Sequence, residues 1–198
     1  MSPTLGDAMN RTVALIAWIG MCGAAALSFC NMPGLQSAGH ATPAPDRPSV
    51  WVEAKWPFPM DQWGEGKAFE CKAADCGAEI NLYIRAKIGF CSRTRGVADD
   101  DELDRLSDFD LMDGRAAALA RSHEIEIAGM KGRIRAYAVT SLIRPRTYAF
   151  SIAFNNNHDA VEATALLDGA QLAAAELIVI QFLSGKIVQR WVTVTLGL

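Results

Sequence analysis

No basic excess marks this 198-residue chain: 19 Lys and Arg stand against 22 Asp and Glu, a net charge of −3. Nucleic-acid binders ordinarily show a basic total or a basic face, so no nucleic-acid partner is expected. Cysteine is scarce too, and five in this length are too few for a disulfide-dense miniprotein. There is no GxxxxGK[ST], no G-x-G-x-x-G and no G-x-S-x-G, which removes the short signatures of phosphate loops, dinucleotide sites and the nucleophile elbow. No internal repeat is present. What is plentiful is apolar residue: 51% hydrophobic against 21% charged. That excludes a disordered chain and gives one domain enough material for a core.

Charge is absent altogether between Arg11 and Asp46. Within that gap Thr12–Ser28 is apolar almost throughout, and it follows a basic residue, the pattern of a secretory signal. The run is short of the roughly 20 residues a spanning helix needs. Small residues at Ser37, Gly39 and Ala41 offer cleavage after Ala38 or Ala41, and Pro43–Pro48 is an extended linker. Residues 1–45 are therefore expected to be a signal peptide or N-terminal anchor with a Pro-rich linker, and 46–198 a single exported domain. Two variants stay open: a lipoprotein site at Leu27–Cys30, with Phe29 where a small residue is expected, and an uncleaved membrane anchor. A core helix opening a cytoplasmic protein leaves the charge gap and Pro-rich tail unexplained.

Glu79–Phe90 is the clearest element. Ile80, Leu82, Ile84, Ala86, Ile88 and Phe90 alternate with Asn81, Tyr83, Arg85, Lys87 and Gly89, a strand with one buried and one wet face. Such alternation favours an antiparallel sheet. Trp51–Trp56, Ala68–Ala73, Glu124–Ile127, Arg133–Thr140, Tyr148–Phe154 and Val161–Leu167 are further strands. Asp99–Met112 changes period, with Leu103, Leu106 and Phe109 three apart and an Asp99/Glu102 capping pair, and is expected to be a surface helix. Gly114–Arg121 is expected to be a loop. Ala170–Leu183 has the composition of a long helix. Ile187–Leu196 fits either a β-branched strand or a helical stripe, with a lean to the helix. Runs of strands with few helices give an α+β class: a single domain, mainly antiparallel sheet of about six strands, with two or three helices packed on it.

Cys71, Cys76 and Cys91 remain outside the leader, so at most one internal bridge forms and one thiol is left. Cys71–Cys76 closes a small loop; a bridge to Cys91 would tie neighbouring strands; no bridge is the third possibility. A zinc site lacks a second pair and a nearby histidine.

Other chemistry is weighed against plainer explanations. The eight carboxylates at 99–113 miss calcium-loop spacing and suit a solvated helix face. Lys131, Arg133, Arg135, Arg144 and Arg146 can form a cationic strip opposite that acidic helix, for an anionic ligand or partner, or simply a wet sheet face with ion pairs. Trp51, Trp56 and Trp63, interleaved with Pro57, Phe58 and Pro59, can grip a sugar or peptide or merely cover a sheet end. His123 or His158 with a serine suggests a hydrolase only weakly, since His158 is explained by its Asn-rich turn. Trp56, Trp63, Arg133 and Arg135 are accordingly the partner-binding candidates. No catalytic or metal-ligating residue is nominated, and no cofactor is expected.

The segment CKAADCGAEINLYIRAKIGFC followed by GVADDDELDRLSDFDL, within Trp51–Leu111, resembles small exported bacterial proteins without an assigned function. That resemblance implies an exported domain and brings no catalytic motif. The element order of Tyr148–Leu183 is similar to photosystem accessory domains of the PsbP/Mog1 type, which pack helices on an antiparallel sheet. The expected function is a non-enzymatic binding or accessory domain, periplasmic or secreted, acting on a protein or small ligand. A hydrolase-type enzyme with dispersed His and carboxylate residues is the alternative, as is a tethered structural component of the envelope. A membrane enters only through the N-terminal segment, if that is uncleaved.

Overall fold

The computed structural model describes residues 49–90, 97–112, 115–140, 147–155, 159–169 and 171–198. The leader, Cys91, Arg144, Arg146 and His158 lie outside the described residues. Among the described residues eight strands form one antiparallel sheet: β1 Trp51–Ala54, β2 Lys67–Cys71, β3 Glu79–Lys87, β4 Arg115–Ala118, β5 His123–Ile127, β6 Met130–Thr140, β7 Thr147–Asn155 and β8 Ala160–Asp168. Their order is β1-β2-β3-β8-β7-β6-β4, with β5 also on β6. Four helices accompany them: α1 Ala73–Cys76, α2 Asp100–Leu106, α3 Leu172–Leu183 and α4 Lys186–Leu196. The class is α+β, single-domain and mainly antiparallel.

The counts exceed the expected six strands and two or three helices for local reasons. Arg115–Ala118 is a strand where a loop was expected, because it borrows a partner in β6 (Ala117 opposite Ala138) and needs no apolar alternation of its own. The Asp99–Met112 helix is broken: α2 ends at Ser107, and Phe109–Met112 is a separate 3₁₀ turn. Asp99 does cap α2, accepting from the Glu102 N–H at 2.9 Å, while the Glu102 carboxylate accepts from the Ala98 N–H at 2.6 Å. β5 and β6 meet at a tight turn in which Ala128 and Gly129 both take positive φ, +50° and +84°. Ile187–Leu196 is helical, as the stripe reading of that segment preferred.

Side chains alternate across a strand, so the sheet has two distinct faces. On one, Ile80, Leu82, Ile84, Phe150, Ile152, Phe154, Val161 and Leu167 pack under Val179 and Leu183 of α3 and Val188 and Val192 of α4. Trp51 stacks on Phe182 at this layer's edge, rings 4.4 Å apart. No single helix among the described residues is long and apolar enough to cross a membrane. On the other face lie Arg85, Lys87, Glu162, Thr164, Ser151, Arg133, Arg135 and Tyr137, beneath α2, the 3₁₀ turn and the 56–66 loop. This face is not wet. Arg85 is 1% exposed and Glu162 1%, so the expectation of a solvated side for β3 is corrected: cover arrives from residues distant in sequence.

Candidate functional site

Two places combine chemistry with defined geometry. The first is the ionic cluster on the covered face. Period two puts Arg85 and Lys87 on one side of β3, and the β3–β8 register sets Arg85 opposite Glu162. The 3₁₀ turn begins just after Asp108 and brings that carboxylate down onto both cations. Arg85 Nε donates to Asp108 Oδ2 at 2.8 Å and Nη2 to Oδ1 at 2.6 Å; Lys87 Nζ donates to Oδ1 at 2.6 Å. Arg85 Nη1 reaches Asp61 Oδ1 at 2.7 Å. Asp61 is held in a turn whose Trp63 N–H donates back to its side chain at 2.8 Å. That turn lays the Trp63 ring against Lys87 Nζ, 5.3 Å from the centroid. Gly66 lets this loop close: a Cβ there would stand 2.3 Å from the Ile84 carbonyl oxygen and 2.7 Å from both Arg85 Cγ and the Trp56 ring.

Glu162 completes the cluster. Burial, then the charge of Asp108, pushes its pKa well above the ordinary 4.5, and Thr164 Oγ1 donates to it at 2.5 Å. It also hydrogen-bonds Asp108. With Glu162 protonated, the cations of Arg85 and Lys87 are matched by the carboxylates of Asp108 and Asp61, and the acid proton has an acceptor. Burial pulls Asp61 up, but the bonds from Arg85 and the Trp63 N–H, with the two positive charges, hold it below its ordinary 3.8. A carboxyl kept protonated by burial can serve as a general acid. Here Glu162 and Asp108 are buried, at 1% and 6% exposure, while Asp61 at the cluster's edge meets solvent. The cluster fastens the cover to the sheet.

The predicted site residues mostly serve the same fastening. Trp56 is buried, edge-on to Phe58 and Tyr83, with the Arg85 guanidinium 5.9 Å from its ring centroid. Trp63 is half-buried over Lys87. Arg133 donates to the Val97 carbonyl and Ser122 Oγ, both at 3.0 Å. Arg135 lies 3.0 Å from Asp104 and 3.6 Å from Asp100 of α2. Of the basic strip, Arg135 faces the acidic helix and is occupied by its carboxylates, whereas Arg133 is taken up by Val97, Ser122 and, at 3.5 Å, Glu124 of β5. The acidic segment is thus only partly a solvated face: Glu102 and Asp108 are buried. Tyr137 donates to Asp104, and burial followed by that carboxylate raises its pKa, keeping it neutral. His123 meets Glu176 at 2.9 Å on the surface. Cys71 and Cys76 are paired as a disulfide, Cα atoms 6.0 Å apart, joining the end of β2 to α1. Among the described residues no three His, Cys, Asp or Glu side chains gather as for a metal ion.

The second place is open to solvent. α3 reaches β1 and β2 through Phe182, which meets Trp51 and Phe69, and beside α4 a groove of about 290 Å³ opens over the Glu53 and Lys67 end of those strands. Phe69 and Ile84 form its floor; Ile187, Val188, Trp191 and Val194 of α4 form its wall; Glu53, Lys67 and Arg190 stand at the rim. Glu53 and Lys67 are paired at 2.5 Å. Arg190 is exposed and makes no ion pair with any described residue. Ile187 is 65% and Val194 76% exposed. The sequence pointed to neither place. Glu162 and Thr164, polar positions in a strand otherwise fit for the core, were the available signal for the cluster. For the groove it was the apolar spacing of Ile187, Trp191 and Val194.

No family model matches the chain, and no curated protein matches it.

Proposed function

We propose that this chain is an exported, non-enzymatic binding domain and that its working surface is the groove between α4 and the β1–β2 hairpin. The carrying observation is the groove itself: an open apolar concavity whose wall leaves Ile187 and Val194 largely in water. Burying such side chains is worth about 1.5–3 kcal/mol each, and a partner that covers them gains that. Exposed apolar surface bordered by charge is the usual mark of an interaction site. Export is supported by the charge-free apolar leader and by the Cys71–Cys76 bridge, which suits an oxidising compartment. The hydrolase alternative, with dispersed His and carboxylate residues, draws less support: His123 is paired with Glu176 on the surface, and Asp108 of the acidic segment is buried against Arg85 and Lys87.

The test uses the anionic apolar dye 8-anilinonaphthalene-1-sulfonate with the folded full chain. Saturable binding is expected. Val194→Glu should weaken it about tenfold, and Trp63→Ala, at the cluster, should leave it unchanged, with circular dichroism showing both variants folded. Binding that ignores Val194→Glu, or no binding at all, sinks the groove as the working surface.

A further inference from the structure

Helix α4 carries two apolar stripes. Val188 and Val192 face the sheet and are buried. Ile187, Trp191 and Val194, spaced by four and then three, face the groove. That spacing is the seam of helix-to-helix packing, in which such positions present knobs to a neighbouring helix. The neighbour on the inner side is present, in the sheet and α3. On the groove side no described helix stands beside the second stripe; Phe69 and Ile84 beneath it are already buried, at 5% and 0% exposure, so Ile187 and Val194 are the apolar surface left open.

The charges select the partner. Lys186 and Arg190 lie one turn apart on the exposed side of α4, and neither pairs with a described residue. The helix has no acidic residue, in a chain whose net charge is −3. The rim's one acid, Glu53, is already engaged by Lys67. A second copy of the chain fits poorly. Arg190 sits midway between Ile187 and Val194, so a twofold axis through this seam would bring it against its own image.

Resting on the groove reading above, we infer that the groove receives an amphipathic helix from another protein. This helix lies alongside α4 as one more member of the helical layer. It places apolar residues at three- and four-residue spacing against Ile187, Trp191 and Val194, and Asp or Glu side chains against Lys186 and Arg190.

Three labelled peptides of about 18 residues, long enough to hold a helix, test this by fluorescence anisotropy with the full chain. One has Leu at the seam positions and Glu flanking them; the second replaces Glu by Lys; the third scrambles the first. The acidic seam peptide is expected to bind, the Lys version about tenfold more weakly, and the scrambled one more weakly still. Arg190→Glu should reverse the preference between the first two. Equal binding of the seam and scrambled peptides overturns the inference, as does a preference that Arg190→Glu leaves unreversed. Dimerisation in ultracentrifugation that Val194→Glu abolishes would assign the seam to a second copy. Dye binding with no peptide binding defeats the helix while sparing the groove; loss of dye binding defeats both.

Discussion

At their centres the two faces of the sheet are equally dry and are made dry by opposite means. Ile84 and Arg85 are adjacent in β3, at 0% and 1% exposure. Ile84 lies under a helical layer with no directional demand, where shape and volume are what matter. Arg85 lies under a lid that supplies one partner for each of three donors, from Asp61 and Asp108. A buried charge costs several kcal/mol to desolvate, and only good geometry recovers it. One face is therefore held by the amount of surface buried, the other by the identity of its partners.

Near-isosteric exchanges should separate the faces most sharply. Ile152→Val on the apolar face is expected to cost about 0.5–1.5 kcal/mol in denaturant unfolding. Asp108→Asn hardly alters shape but removes the carboxylate that bonds both Arg85 and Lys87 and turns an amide toward them, and is expected to cost about 3–5 kcal/mol. Similar losses for the two variants would mean that the ionic face is held by packing after all.

The apolar face was legible because its signal is local. Alternation in Glu79–Phe90 and Tyr148–Phe154 named most of the inward residues, though Ile88 lies past the end of β3 and is 58% exposed, and the composition of Ala170–Leu183 named their cover. The ionic face was not, because its partners are 21 to 24 residues apart in sequence, and nothing local distinguishes a charge awaiting a lid from one awaiting water. Arg85 and Lys87 have the pattern of a wet face, and Asp108 that of a solvated helix. Trp56 and Trp63 were noticed for the right property, exposed-looking aromatics next to prolines, but their rings are used on the cations of their own sheet. The groove is harder still, being defined by where the helical layer ends.

Glu162 makes the ionic face sensitive to pH in a direction the apolar face lacks. Its folded pKa is raised, so its protonated form stabilises the fold fully below the ordinary 4.5, and that contribution is lost as pH rises through the raised value. Glu162→Gln stays neutral and can keep both the donor to Asp108 and the acceptor for Thr164. At acid pH the variant is expected to match the parent within about 0.5 kcal/mol. At alkaline pH it should be the more stable, by on the order of 1–2 kcal/mol. Comparing the two proteins at each pH cancels the opposite trend from Asp61, whose lowered pKa favours the fold above its ordinary 3.8 and less so in acid. Parallel pH profiles would remove Glu162 from the balance of charge.

The smallest effect on stability divides the apolar layer itself. Val192 and Val194 lie two residues apart on α4, at 0% and 76% exposure. Val192→Ala opens space against the sheet and is expected to cost roughly 2 kcal/mol. Val194→Ala removes methyls already in water, and its cost should stay within about 0.5 kcal/mol, because nothing in the folded domain depends on them. If Val194→Ala proves as costly as Val192→Ala, the outer stripe belongs to the fold's own core and the groove is already covered. If the two differ as expected, the apolar character of Val194 is not explained by folding, and its contribution must be sought in what the groove binds.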